Sequence, residues 1–293
     1  MMHRQKSFMN DEKNEALYLV PTPIGNLEDM TFRAVRILKE VDLIAAEDTR
    51  NTKKLCHYYE IDTPITSYHE HNKEVSGKRL LEELKKGKKI AVVSDAGMPI
   101  ISDPGYELVM SAIKEGLRVI PLPGSNAGLT ALIASGLTPQ PYYFYGFLNR
   151  KKKEKRKELE EIKKQTATII LYESPHRLKE TVKLAYEILG NRKIVLCREL
   201  TKKFEEFLRG NLEDAVKWVE EEKIRGEFSI LIEGNPDQAF VDEETVWWKE
   251  MTIKEHVEYY MNKDGSMSKN AIKKVAKDRN LPKRDIYKAY HLN

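Results

Sequence analysis

The chain has 293 residues, 41% of them apolar and 33% charged, with a net charge of +4. No apolar run approaches the roughly 18 residues that a membrane-spanning helix needs, which excludes a helical membrane protein. Cys56 and Cys197 lie far apart in regular segments, so neither a disulfide scaffold nor a structural zinc site is expected, and a reduced, cytoplasmic setting is.

Residues 1–15 are polar and mixed in charge, without an apolar centre, and read as a disordered lead-in rather than a signal peptide. From residue 16 onward, short apolar runs alternate with amphipathic segments. Strands are expected at 17–20, 43–46, 65–68, 90–94 and 118–122, and helices at 32–39, 51–59, 73–86 and 106–114. Strict alternation of this kind predicts a mostly parallel sheet covered by helices, over residues 16–123. Pro121-Leu122-Pro123-Gly124 interrupts it.

A second α/β domain is expected over 124–235. Its strands fall at 142–145, 168–172, 194–198, 206–208 and 228–233, and the last two suggest a mixed sheet. Its helices fall at 127–134, 153–164, 175–189 and 212–222, with Ser174 placed to cap the helix that Pro175 opens. Residues 236–251 read as a linker. Residues 252–293 hold three short amphipathic segments, with Ser268 as an expected N-cap, in the pattern of a helix-turn-helix-like module. That module carries ten Lys/Arg against five Asp/Glu, so the basic excess of the chain sits there. A second cluster runs from Arg150-Lys151-Lys152-Lys153 to Lys157. Basic patches on a near-neutral body suggest a polyanionic partner.

The densest candidate site is Ser94-Asp95-Ala96-Gly97-Met98-Pro99-Ile100-Ile101-Ser102-Asp103-Pro104-Gly105, set between a strand and a helix. Loops at the carboxyl ends of parallel strands are where open α/β sheets bind ligands. The first such loop, Pro21-Thr22-Pro23-Ile24-Gly25-Asn26, lacks the glycine pattern of a dinucleotide or phosphate site, and its prolines lack N–H groups. NAD and ATP bound by the common routes are therefore not expected. Glu47-Asp48-Thr49-Arg50 places Asp48 and Arg50 at a strand end as site candidates, with helix capping as the plainer reading of Asp48. His69-Glu70-His71 has no third ligand nearby in sequence, so no metal is expected. Tyr172-Glu173 and Arg198-Glu199-Leu200-Thr201-Lys202 end two further strands. No serine sits in a nucleophile elbow.

Seven of these motifs, in order, resemble the tetrapyrrole methylase superfamily, from about Leu17 to Gly234. They are Val20-Pro21-Thr22-Pro23-Ile24-Gly25-Asn26, Ala46-Glu47-Asp48-Thr49-Arg50, Ser94-Asp95-Ala96-Gly97-Met98-Pro99, Asp103-Pro104-Gly105, Pro123-Gly124-Ser125-Asn126-Ala127, Tyr172-Glu173-Ser174-Pro175-His176-Arg177 and Arg198-Glu199-Leu200-Thr201-Lys202. The resemblance implies two α/β domains with a cofactor crevice between them, a small C-terminal helical module, S-adenosylmethionine as cofactor, and a homodimer. Relatives acting on porphyrinoids carry a glycine-rich first loop. The Pro-Thr-Pro loop here departs from that and favours the branch acting on RNA, which implies 2′-O-methylation of a cytidine in 16S ribosomal RNA of the small ribosomal subunit.

On that reading Asp95, Ala96, Gly97, Met98, Pro99, Ile100 and Ser102 contact the cofactor, with Pro23, Ser125, Ala127, Tyr172 and Phe228 as further wall. Asp48 is the favoured base, with Glu47 and His71 also available, and Arg50 and Lys202 stabilise the developing alkoxide. RNA contacts are expected from Arg50, Lys53, His71, Arg150, Lys151, Lys152, Lys153, Lys269, Lys273, Lys274 and Lys283. Two other readings stay open at this point, a small-molecule tetrapyrrole methylase and a non-enzymatic rRNA-binding assembly factor.

Overall fold

The computed structural model describes residues 4–7, 15–235, 248, 251–265, 267–279 and 281–291. The chain divides into two compact units, one up to residue 236 and one from residue 237. The expected linker falls mostly outside the described residues, as does most of the expected lead-in. Within the lead-in, Gln5 is placed. Its side-chain amide donates to the Val119 carbonyl and accepts from the Val119 N–H, both at 2.9 Å.

The first sheet is built from β1 (Ala16–Val20), β2 (Leu43–Ala46), β3 (Ile65–Ser67), β4 (Lys89–Val93) and β5 (Arg118–Pro121), in the order β3-β2-β4-β1-β5. Every pairing in it is parallel. Four helices connect the strands: α1 (Phe32–Glu40), α2 (Thr49–Tyr58), α3 (Lys73–Lys85) and α4 (Tyr106–Lys114). Alternate residues of the strands feed two cores. Val20, Ile44, Ala91 and Val93 pack with Ala34, Ile37 and Leu38 of α1. Leu17, Ala45, Ile90 and Val92 face Leu80 and Leu84 of α3 and Leu108 of α4. Burial on both faces explains why these strands read as continuous apolar runs.

After α5 (Ala127–Ser135), the second sheet contains β6 (Tyr142–Phe147), β7 (Thr168–Glu173), β8 (Lys193–Arg198), β9 (Glu206–Asn211) and β10 (Phe228–Ile232), in the order β6-β7-β10-β8-β9. It is mixed, as expected. β6 and β7 are parallel, while β10 runs antiparallel to both β7 and β8. α6 (Lys152–Ile162), α7 (Pro175–Leu189) and α8 (Leu212–Glu221) pack Leu159, Leu178, Val182, Ile188 and Val219 against it. β9 runs three residues past its expected end at Leu208, because Arg209 and Gly210 keep their pairing with Val195 and Ile194.

Two capping expectations change. Ser174 holds the N-cap position of α7, with Pro175 following, but its side chain makes no capping bond. In the second unit the N-cap of α10 (Ser268–Asp278) is Met267, and Ser268 is already the first helical residue. That unit packs α9 (Ile253–Asp264), α10 and α11 (Lys283–His291) around Val257, Ala271, Ile272, Val275 and Ile286. Thr252 and Glu255 form a full capping box at the start of α9. His256 is fully buried and stacks on Trp248 and Tyr260. Its Nδ1 accepts from Arg279 Nε at 3.2 Å.

Candidate active site

The loops leaving β1 and β4 are tied together by backbone. Thr22 N–H donates to the Gly97 carbonyl and Gly97 N–H to the Thr22 carbonyl, both at 3.0 Å. Side chains lock the same turn: Thr22 Oγ1 donates to the Ser94 carbonyl at 3.1 Å and Ser94 Oγ to the Gly97 carbonyl at 2.8 Å. Gly97 sits at φ +80°, a region that L side chains rarely adopt. A Cβ there would also lie 3.2 Å from Ile24 Cγ2 and 3.3 Å from the Ser125 carbonyl oxygen. The loop leaving β2 joins the others through Asp95, whose carboxylate accepts from Asp48 N–H at 3.1 Å and from Asn51 Nδ2 at 3.3 Å.

The second half of the first unit closes over these loops. Asn26 N–H donates to Thr201 Oγ1 at 3.1 Å, and the Lys202 stem packs on Gly25, where a Cβ would not fit. Tyr172 Oη accepts from Gly128 N–H at 2.9 Å. Between the halves lies a cavity of about 300 Å³. Of the expected cofactor residues, Asp95, Ala96, Gly97, Met98, Ser102, Ala127, Tyr172 and Phe228 line it. The other four shape its walls or lie beside it. Pro99 is buried behind the loop, and Ile100, at φ +77°, packs under Gly105. Ser125 presents its carbonyl to Gly97, and Pro23 lines a neighbouring cavity.

The lining also holds residues outside the expected cofactor contacts: Asp103 of the candidate loop, Glu199 of the Arg198–Lys202 motif, and Glu227 and Cys197. With Asp95 and Glu173 this makes five acidic side chains around one lysine, Lys202, among the described residues. Most are held by donors. Glu173 is 2% exposed and accepts from Thr181 Oγ1 at 2.7 Å and Ser174 N–H at 2.9 Å. Glu199 accepts from Glu227 N–H at 2.8 Å and from Lys202 Nζ at 3.1 Å. Burial works against the charge on Glu199, but these donors outweigh it and hold the carboxyl below its ordinary value. Lys202 also reaches Glu227, at 3.2 Å, so its charge is shared between two carboxylates. Burial pushes the Cys197 thiol up to about 12, which makes it a neutral part of the wall.

Asp48 and Arg50 do not line this cavity. Asp48 is the N-cap of α2, accepting from Arg50 N–H at 2.8 Å, and its oxygens take the Arg50 guanidinium at 2.6 and 3.0 Å. The Arg50 hydrogen bonds pull the Asp48 carboxyl down to about 2, leaving a weak proton acceptor where the sequence suggested a base. A second cavity, of about 400 Å³, adjoins the first. It is lined by Thr22, Pro23, Asn51, Lys54, His57 and Tyr58 among others, and Asp95 lines both.

The expected RNA-binding side chains are exposed. Arg50 and Lys53 lie on α2, His71 in the loop after β3, and Arg150, Lys151, Lys152 and Lys153 at the start of α6. Lys269, Lys273 and Lys274 lie on α10, and Lys283 opens α11. Within the mid-chain basic cluster, Lys155 differs. It is fully buried, with Nζ donating to Glu180 at 2.8 Å and Thr181 Oγ1 at 3.0 Å.

The family model for Tetrapyrrole (Corrin/Porphyrin) Methylases matches residues 16–216. The chain belongs to the tetrapyrrole methylase family. Over its full length it is 62% identical to a Bacillus subtilis protein named Ribosomal RNA small subunit methyltransferase I, covering 99% of that protein. A Halalkalibacterium halodurans protein of the same name is 59% identical over 99% of each chain. The fold matches a uroporphyrin-III C-methyltransferase from Thermus thermophilus, solved with S-adenyl homocysteine, at a TM-score of 0.53 and 20% identity. That match covers 74% of this chain and 96% of the other.

Proposed function

We propose that the chain transfers a methyl group from S-adenosylmethionine to the ribose 2′-hydroxyl of a cytidine in 16S ribosomal RNA, acting on the small subunit in the bacterial cytoplasm. The observation that carries the RNA assignment is the full-length likeness to proteins of that name. The porphyrinoid reading leaves the basic second unit and the exposed Arg150-Lys153 run without a task, and an assembly factor needs no acid-lined cavity.

The cavity fits the cofactor on its own chemistry. When bound, S-adenosylmethionine supplies a methyl group already activated as a sulfonium. An acid-rich lining favours a cation over the neutral thioether left after transfer. Gly97 lines the cavity with bare backbone, against which a ligand can lie closely. Asp95 to Ser102 hold one side of the ligand and Ala127, Tyr172 and Phe228 the other. Lys202 fixes Glu199 and Glu227 at the mouth. The second cavity, next to Asp95 and rimmed by Lys54, His57 and Tyr58, suits the acceptor nucleotide. Arg50, Lys53, Arg150–Lys153 and the lysines of α10 and α11 take phosphates along the RNA.

The reading includes a homodimer. α4 exposes Tyr106, Met110 and Ile113 at helical spacing, and α5 exposes Leu129 and Ile133. Light scattering at micromolar concentration tests it, and a monomer mass rejects it.

The test of the activity is methyl-labelled S-adenosylmethionine offered with small subunits lacking the modification, with naked rRNA, or with a porphyrinoid. Label recovered as 2′-O-methylcytidine from the RNA is expected. Label on a base or on the porphyrinoid rejects the assignment.

A further inference from the structure

The two adjoining cavities meet at one residue. Asp95 lines both, and no other described residue does. The tied loops after β1 and β4 form the wall between them. Thr22, Pro23 and Ser94 face the second cavity, and Ala96 and Gly97 face the first. The bonds that lock Thr22, Ser94 and Gly97 together therefore also fix where Asp95 stands.

The Asp95 carboxylate is held from the side of the second cavity. One oxygen accepts from Asp48 N–H at 3.1 Å and the other from Asn51 Nδ2 at 3.3 Å, and Asn51 itself lines the second cavity. Both donors are neutral, and each carboxylate oxygen keeps a lone pair for a further donor. Asp95 is exposed, so a ligand can reach it.

The other acids and bases sort away from this junction. Glu173, Glu199, Glu227 and Asp103 line the first cavity alone, and His57 lines the second alone. Asp48 lines neither, and its oxygens are closed on Arg50. A group passed between ligands in two cavities crosses where the cavities meet, and a base must lie within hydrogen-bond reach of the proton it takes.

We propose that Asp95 is the catalytic base for the acceptor hydroxyl and that Asn51 is the residue that positions its carboxylate. This rests on the reading that the acceptor is a ribose hydroxyl in the second cavity. In the step, a lone pair of the hydroxyl oxygen forms the new O–CH3 bond while the S–CH3 bond breaks with its electrons remaining on sulfur. The hydroxyl proton passes to Asp95 and then to water. One positive and one negative charge are cancelled in the same event.

The first test needs no cofactor. A hydroxyl that donates to Asp95 makes the protein prefer ribose to deoxyribose at the target nucleotide. Wild type should bind an rRNA fragment roughly tenfold more tightly than the same fragment carrying 2′-deoxycytidine at that position. Asp95→Ala should bind the two fragments alike, with affinity for the deoxy fragment within about threefold of wild type. A ribose preference that survives Asp95→Ala overturns the proposal.

The second test is single-turnover transfer at saturating S-adenosylmethionine. Asp95→Asn should lose roughly 100-fold or more, and Asn51→Ala roughly 3–10-fold. Added formate should restore the Asp95→Ala rate by roughly tenfold where chloride at equal ionic strength does not, because a small carboxylate can take the place of the missing one. A residue that only holds the start of α2 would lower the melting temperature and gain nothing from formate, which overturns the proposal. A residue that only holds the sulfonium would, as Asp95→Asn, lose affinity for S-adenosylmethionine but not for S-adenosylhomocysteine by calorimetry. Its rate would return to wild type at saturation, and that also overturns the proposal. Should Asp95→Ala fail to fold, the Asp95→Asn rate at saturation decides alone. If wild type labels no RNA hydroxyl, the proposed function fails and the base assignment with it. If it does while Asp95→Asn keeps its rate, only the base assignment fails.

Discussion

The Arg50 guanidinium closes on the Asp48 carboxylate through two hydrogen bonds, at 2.6 and 3.0 Å, while Asp48 also caps the helix that Arg50 begins. One residue thus serves as cap and counter-ion at a strand end, where sequence alone suggested a base. Asp48→Asn keeps an acceptor for the cap but gives up the ion pair. It should retain single-turnover methyl transfer within about threefold at pH 8, because exposed pairs of this kind contribute little to stability and Asp48 does not line the cavity. A drop of 100-fold would return Asp48 to the base role.

Gly97 carries the shape of the donor loop. Gly97→Ala puts a Cβ into the left-handed region and against Ile24 and the Ser125 carbonyl. The expected destabilisation is about 1–3 kcal/mol. Isothermal titration should show S-adenosylmethionine affinity falling at least tenfold. Unchanged affinity would mean the ligand does not approach this backbone.

Lys153 and Lys155 are two residues apart and should behave oppositely. Lys153→Ala removes an exposed charge, so it should leave the melting temperature alone and weaken RNA binding at low salt. Lys155→Ala leaves a cavity and strips Glu180 of its partner. It should lower stability by about 2–4 kcal/mol with little direct effect on RNA affinity. Denaturant melts and filter binding on both variants check the contrast.

Burial, then the nearby Arg279 charge, lowers the His256 pKa, against the pull of Asp278. Trp248 and Tyr260 supply the stacked faces of its surroundings. The unfolded chain takes up a proton below about 6.5 that the folded unit resists, so stability of the second unit should fall as pH drops through that value. Amide exchange in α9 and α10 of the full chain, measured at pH 7 and pH 5.5, should accelerate at the lower pH. His256→Gln should flatten that difference, and equal exchange at both pH values in wild type would reject the account.

Much of the fold was legible because punctuation and periodicity agree. Gly105 before Tyr106, and Pro175 after Ser174, mark helix starts that the structure keeps. The extension of β9 was not legible, since Arg209-Gly210-Asn211 has no strand pattern and is held only by its pairing with β8. The donor loop stood out because glycine, proline and aspartate cluster there. Glu199 and Glu227 reach the cavity through antiparallel pairing of β8 and β10, a long-range fact that no local spacing encodes. Lys155 looked like one more exposed base because a run of lysines conceals which of them faces inward. Asp103 was visible as part of the candidate loop, and the structure places it in the cavity lining.

The two bonds between Thr22 and Gly97 run from backbone to backbone, so they are indifferent to the side chains that flank them. That backbone tie survives side-chain exchange in the loop after β1, provided residue 22 is not proline, which has no N–H to give, while the Thr22 hydroxyl adds a bond to the Ser94 carbonyl that only a hydroxyl side chain keeps. Acceptor preference can therefore diverge among descendants of one ancestral enzyme while the methyl-donor seat is inherited intact.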